Sequence, residues 1–469
     1  MVDQHRFARH MSDEDALMWN IEKDPILRST ILAVAVFERV PDWRRLRDRI
    51  DRATRVIPRL RQRVCSPPLR LGPPRWAAEP SFDLDFHVRR VRLAPPRDED
   101  ALLRALEPIA ADAFDRARPL WEFTLFEGLR RDDGAEGAAL AMKVHHSVTD
   151  GVGGMRLLTE LVDLAPDAPE PGAPAEEPEP GESPGALDLV RDSLSHSRRR
   201  VLGIARRVPA TVGGAVAGAA RDPAAAGAHL VGTAQSVAKL LAPATSPLSP
   251  LMRERGLGRR LAMFAVPLDD VRRAAKATDG TVNDVFVAAV LGGLQRYHVR
   301  HGVTVDALRM TLPINLRTEQ DAPAGNRFVP ARFAVPAAIA EPAERVRAVG
   351  EVVREWRHEP ALALTGALAG VLNRLPTAVT TALFGSMLKG CDFIATNVPG
   401  SPVPVYAGGA RVEGLYAFAP PSGAACNVAL ISHVDRCCIG VVVDRAAVPD
   451  CDVLVGCIRE GFDEVLTLG

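Results

Sequence analysis

Two adjacent histidines, His145 and His146, open the segment His145-His146-Ser147-Val148-Thr149-Asp150-Gly151. A neutral imidazole, with an ordinary pKa of about 6.5, can take a proton from a hydroxyl at physiological pH. Such a base, with good positioning, suffices to drive an alcohol onto an already activated acyl donor such as a thioester, without a covalent acyl-enzyme. One of the two histidines is read as that general base. Asp150 is placed to hold the loop by an ion pair or to orient an imidazole. Gly151 can take positive φ, and the run Gly151-Val152-Gly153-Gly154 leads a helix along which backbone can approach a ligand closely.

The elements around the motif explain why two histidines stand together. The apolar run Ala138 to Val144 reads as a strand running directly into His145. Neighbouring side chains on a strand point to opposite faces. Only one of the two histidines can therefore face a given cavity, and the other faces the protein body, where a hydrogen bond can fix it. Upstream, Ile31 to Phe37 and Leu120 to Phe126 are strand-like. Asp42 to Ile57 and Asp98 to Phe114 have helical spacing, and Phe82 to Val88 alternates with period two, which predicts a half-buried strand. Leu157 to Leu164 continues as a helix.

Residues 1–164 thus form a first α/β unit. Residues 165–257 form a connector: a Pro/Glu-rich stretch over 165–185, then a basic, Ala/Gly-rich stretch over 186–245. The latter reads equally as an amphipathic segment on an anionic membrane or as a surface helix with solvated arginines. A second α/β unit spans 258–469. Its predicted strands are Leu261–Val266, Ala307–Pro313, Arg332–Val335, Phe393–Asn397, Val428–Ser432 and Ile439–Val443, and its predicted helices are Val282–Tyr297, Leu362–Leu383 and Val453–Leu468. Two α/β halves joined by a connector place a ligand crevice at their interface.

Composition narrows the function classes. The 469 residues carry 58 basic and 58 acidic side chains, so the chain lacks the basic footprint of a nucleic-acid binder. Seven cysteines, an odd number, follow a polar N-terminus without a signal-like apolar core, which fits a reducing, cytoplasmic setting. No cysteine or histidine spacing suggests a metal, and Cys437-Cys438 read as buried small residues. No apolar run is long enough to span a membrane.

Further motifs accompany the histidines: Phe82-Asp83-Leu84-Asp85-Phe86-His87-Val88, Arg118-Pro119-Leu120-Trp121-Glu122, Thr281-Val282-Asn283-Asp284-Val285, Leu312-Pro313-Ile314-Asn315-Leu316-Arg317, Gly325-Asn326-Arg327, Thr396-Asn397-Val398-Pro399-Gly400 and Val443-Asp444-Arg445. In order and spacing the chain resembles the bacterial wax ester synthase/acyl-CoA:diacylglycerol acyltransferase family over essentially its whole length. The resemblance implies two chloramphenicol-acetyltransferase-like domains, each a mixed β-sheet flanked by helices, with an active-site tunnel between them. It implies His146 as base, with His145 and Asp150 shaping the site. Long-chain acyl-CoA would be a substrate, with no resident cofactor or metal, and diacylglycerol or a long-chain fatty alcohol would be the acceptor. Peripheral association with a membrane or lipid droplet would accompany those substrates.

Other residues keep two readings. Asn283 and Asp284 line the tunnel or cap a helix. Arg317 is a partner for Asp150 or an exposed loop residue. Asn397 begins a turn after a strand or lies near the acyl chain. Pro119-Leu120-Trp121 sets strand entry and core packing. Two rival functions remain: an acyltransferase of the same motif with another acceptor or a carrier-bound donor, and a non-catalytic lipid-binding relative.

Overall fold

The structure, a computed structural model, describes residues 9–68, 72–131, 133–148, 151–169, 184–196, 198, 246–315, 328–357, 370, 372–373 and 375–469. The chain begins with α1 (Asp13–Ile21), whose N-cap Ser12 accepts from the Asp15 N–H. It continues through β1 (Thr30–Phe37), α2 (Trp43–Val56), β2 (Val88–Arg92), α3 (Glu99–Ala111), β3 (Trp121–Arg130), β4 (Glu136–His145) and α4 (Gly151–Leu161). Asp42 and Asp98 cap α2 and α3 by accepting the Arg45 and Ala101 N–H groups, each such cap contributing about 1 kcal/mol.

The later part supplies β5 (Arg259–Pro267), α5 (Leu268–Ala277), α6 (Val282–Arg300), β6 (Ala307–Asn315), β7 (Phe328–Pro336), α7 (Pro342–Arg357), α8 (Thr377–Lys389), β8 (Phe393–Pro399), β9 (Tyr406–Ala407), β10 (Ala410–Phe418), β11 (Cys426–His433), β12 (Arg436–Asp444) and α9 (Cys451–Leu466). Helix α6 is buried continuously from Asp284 to Leu294, which its apolar sequence requires. It packs so closely on α9 that a Cβ on Gly461 would lie 2.2 Å from the Ala289 carbonyl oxygen.

Two six-stranded mixed sheets result. The first runs β9-β10-β1-β4-β3-β2 and the second β5-β12-β11-β8-β6-β7. Strands β9 and β10 are encoded in the second half of the chain yet belong to the first sheet. β10 pairs antiparallel with β1, placing Leu32 opposite Phe418 and Ala35 opposite Leu415. The two sheets meet along β10 and β12, where a Cβ on Gly440 would fall 2.1 Å from the Ala417 carbonyl oxygen. His433 Nε2, on β11, lies 3.0 Å from the Val412 carbonyl oxygen on β10 and ties the sheets together.

Most predicted strands and helices stand within a few residues of their expected limits, with some differences. Phe82 to Val88 is not a strand. Asp83 accepts the Asp85 N–H and starts one helical turn, Leu84–His87, and pairing begins only at Val88, opposite Phe123. The helix predicted over Leu157–Leu164 already starts at Gly151 and stops at Leu161, because Asp163 bridges to Tyr406. Of the helix predicted over Leu362–Leu383, most of the first part lies outside the described residues. Gly370 and Leu372 are helical, and a separate helix starts after Pro376, which lacks an N–H to continue the earlier one, and runs on to Lys389. Asn397-Val398-Pro399 is strand, paired with Leu430 to Ser432, rather than a turn. Residues 186–196 are helical, and most of the remaining connector lies outside the described residues. All seven cysteines are free, and Cys437 and Cys438 are buried.

Candidate active site

β4 delivers the histidine pair. It is hydrogen-bonded on both sides, to β1 and β3, and ends with His145 opposite Thr30. The His145 N–H donates to the Leu120 carbonyl at 3.0 Å, so Pro119-Leu120-Trp121 does set the strand entry. Leu120 and Trp121 are fully buried, and the Trp121 indole donates to the Leu60 carbonyl at 2.7 Å.

The two imidazoles occupy different surroundings. His145 is 1% exposed, with Trp19 and Phe114 edge-on to its ring at centroid distances of 5.6 and 6.1 Å. Its Nδ1 accepts from the Ser147 N–H at 3.1 Å and lies 2.7 Å from the Ser147 Oγ. An accepting Nδ1 assigns the proton to Nε2, which donates to Glu22 Oε1 at 2.8 Å. His146 is half-buried, in the turn that leaves the strand, and its N–H donates to the Ser29 carbonyl at 2.8 Å.

Glu22 joins the two. It follows the last residue of α1, and its Oε1 also accepts the Ser29 N–H at 2.6 Å. One peptide segment at Ser29 is therefore held by Glu22 on its N–H side and holds His146 on its carbonyl side. Burial pushes the Glu22 carboxyl up, but the facing His145, the hydrogen bonds from His145 and the Ser29 N–H, and Arg116 at 3.5 Å outweigh it and keep Glu22 below the ordinary glutamate range. Helix α1 is in turn seated on the second half of the chain. Leu17 and Ile21 pack with Leu372 and Leu388, and the Asn373 amide donates to the Asp13 carbonyl.

Glu22 was not among the residues singled out from sequence, because a glutamate in a polar run 123 residues before His145 carries no local signal. Asp150 and Arg317, both singled out, lie outside the described residues. Gly151 is the first residue of α4. Asp284 is buried and completes a capping box: Thr281 donates to it through its N–H at 2.9 Å and its hydroxyl at 2.8 Å. Asn283 Nδ2 is buried with no hydrogen-bond partner among the described residues. Asn397 is half-buried within β8. Among the described residues no group of three His, Cys, Asp or Glu could hold a metal ion.

Residues 11–286 match the wax ester synthase/diacylglycerol acyltransferase catalytic domain, and residues 324–465 match the C-terminal domain of the same family. The chain belongs to that family. A putative diacylglycerol O-acyltransferase of Mycobacterium tuberculosis is 38% identical over 467 residues, covering 99% of this chain and 93% of the relative. A second Mycobacterium tuberculosis protein of that description is 29% identical over 478 residues, covering 98% and 97%. The solved wax ester synthase/diacylglycerol acyltransferase from Marinobacter aquaeolei VT8 shares the fold, with a TM-score of 0.66 at 22% identity over 98% of both chains. The first condensation domain of the calcium-dependent antibiotic synthetase shares it as well, with a TM-score of 0.59 at 17% identity over 98% and 96%. This family member is an acyltransferase, built on the condensation-domain arrangement of two mixed sheets.

Proposed function

We propose that the protein transfers a long-chain acyl group from acyl-CoA to the hydroxyl of diacylglycerol, and to long-chain alcohols with the same machinery. The relatives described as diacylglycerol O-acyltransferases support the first acceptor. The observation that carries the mechanism is the unequal environment of the histidine pair. His145 is sealed between Glu22 and Ser147, while His146 stands half-buried at the strand end on a backbone fixed through Ser29.

In this mechanism His146 takes the proton of the acceptor hydroxyl as its oxygen attacks the thioester carbonyl. The tetrahedral intermediate collapses with cleavage of the C–S bond. The departing CoA thiolate receives the proton from the His146 imidazolium, leaving the ester and free CoA. His145 does not touch the substrate; with its proton held on Nε2 by Glu22, it fixes the turn that carries His146. Asp150 would steady the same loop, and Asn283, whose Nδ2 has no partner among the described residues, is available to a bound substrate.

Incubation with a long-chain acyl-CoA and either diacylglycerol or hexadecanol, followed by thiol release and lipid analysis, tests the reading. Triacylglycerol and a wax ester are the expected products. CoA release with neither product would assign a different acceptor, and absence of release from folded protein would overturn the acyl-CoA reading.

A further inference from the structure

A cavity of about 580 Å³ opens where the end of α1 meets α8, lined by Lys23, Asp24, Thr381, Gly385, Ser386 and Lys389 among others. Two of the chain's five lysines stand at this one opening, in a protein that otherwise uses arginine for almost all its positive charge. Lys389 is paired with Asp24 at 2.5 Å, and Asp24 also accepts the Ile26 N–H. Lys23 is exposed and has no carboxylate within ion-pair reach among the described residues. Among the described residues the opening therefore carries one net positive charge. The Thr381 Oγ1 is buried there without a hydrogen-bond partner among the described residues.

The outer face of the same helix is apolar. Leu375, in the turn before α8, and Val379 and Leu383 within it are 38%, 49% and 43% exposed. Spaced four residues apart, they form one row along the helix, with Ala378 and Ala382 exposed beside them. Single exposed leucines are ordinary, but a continuous apolar row next to cations is the arrangement of a helix lying in a lipid interface.

The geometry points to this surface as the place where the protein seats an anionic phospholipid: the headgroup phosphate in the Lys23–Thr381 cavity, and the Leu375-Val379-Leu383 row in the acyl region. A phosphate oxygen suits an ammonium and an unpartnered hydroxyl donor. A soluble phosphate compound would use the cavity but leave the apolar row in water, whereas a phospholipid satisfies both. Lysine suits such a position because its stem can lie along hydrocarbon while its ammonium reaches a phosphate. The proposal goes beyond the acyl-transfer reading and is tested without turnover, so failure of either is distinguishable.

The test is co-sedimentation of the full chain with phosphatidylcholine vesicles, with and without phosphatidylglycerol, for the wild type, Lys23→Glu and the double variant Val379→Ser/Leu383→Ser. All altered side chains are exposed, and thermal unfolding checks that each variant remains folded. Expected is capture by phosphatidylglycerol vesicles that falls about tenfold or more in Lys23→Glu, and falls for both vesicle types in the double variant. Capture equal across the three proteins, or no capture of the wild type, overturns the proposal. So does a Lys23→Glu variant that loses binding of CoA but keeps vesicle capture, which would give the cavity to a soluble phosphate compound.

Discussion

Glu22 and His145 lie 123 positions apart in the chain and meet at 2.8 Å through Oε1 and Nε2. Because Glu22 also holds the Ser29 N–H, while the Ser29 carbonyl holds the His146 N–H, this one carboxylate fixes both histidines of the pair. Replacing it by glutamine keeps the shape but removes the charge that faces the His145 proton. Glu22→Gln is expected to lower kcat about 10- to 100-fold, the weight of a charge-assisted hydrogen bond, with little change in KM for acyl-CoA. The pH–rate profile should shift as well, which a purely structural role would not produce. An unchanged profile and kcat would remove Glu22 from the machinery.

The same carboxylate predicts a stability change with pH. Its folded pKa is depressed, so the stabilisation is present above the unfolded value of 4.5 and is lost as pH falls through the lower folded value. Urea midpoints measured from pH 6 down to pH 3 should decline more steeply for the wild type than for Glu22→Gln. Parallel curves would show that the depressed ionisation contributes nothing to folding.

His146→Ala and His145→Ala should fail in different ways. The first removes a base on a half-buried turn, with an expected loss of about 10²- to 10⁴-fold in CoA release and little change in unfolding temperature. The second leaves Glu22 buried opposite a void, and loss of a hydrogen bond to a buried charge costs about 1.5–3 kcal/mol. Parallel measurements of turnover and urea unfolding separate the two. Turnover that survives His146→Ala would sink the base assignment.

These residues show how far the sequence reaches. The strand ending in His145, and the opposed fates of neighbouring histidines, follow from an apolar run and the two-residue period of a strand. Glu22 does not, because its partner is set by tertiary packing of α1 rather than by spacing. The membership of β10 in the first sheet is equally silent: the decisive pairing sets Leu32 opposite Phe418, from the far half of the chain. Phe82 to Val88 alternates convincingly, yet the Asp83 side chain captures the Asp85 N–H and a local turn wins over extended pairing. At Asp284 the sequence leaves two readings open, and the structure shows the capping box at the helix start.

His87 provides a pH test away from the site. It is 1% exposed and stacked between Phe82 and Trp121, and its Nδ1 lies 2.6 Å from the Trp121 carbonyl, so that nitrogen carries the proton and donates. Burial pushes its pKa down to about 4 from 6.5. Between those values the unfolded chain binds a proton that the folded chain refuses. Stability is thus complete above about pH 6.5 and declines toward pH 4, by an amount of the order of 3 kcal/mol. Urea midpoints at pH 7.5, 6 and 5 should show this decline, and His87→Phe should flatten it. An equally steep decline in the variant would assign the effect to other groups.

Gly440 and Gly456 make opposite predictions from the same substitution. At Gly440 an added methyl would fall 2.1 Å from the Ala417 carbonyl oxygen, and that contact is backbone on both sides: β12 of the second sheet against β10 of the first. Neither strand can yield alone, since β12 is paired to β5 and β11, and β10 to β1. Gly440→Ala should cost at least about 1–3 kcal/mol, the range for overpacking a dense core. Because β1 holds Thr30 opposite His145, the shift should also lower kcat. Gly456, inside α9, has nothing within 4 Å of an added Cβ, so Gly456→Ala should stabilise by about 0.5–1 kcal/mol through helix propensity. Urea unfolding of both variants decides the matter. Equal effects at the two positions would mean that the sheets do not meet at Gly440 as closely as described.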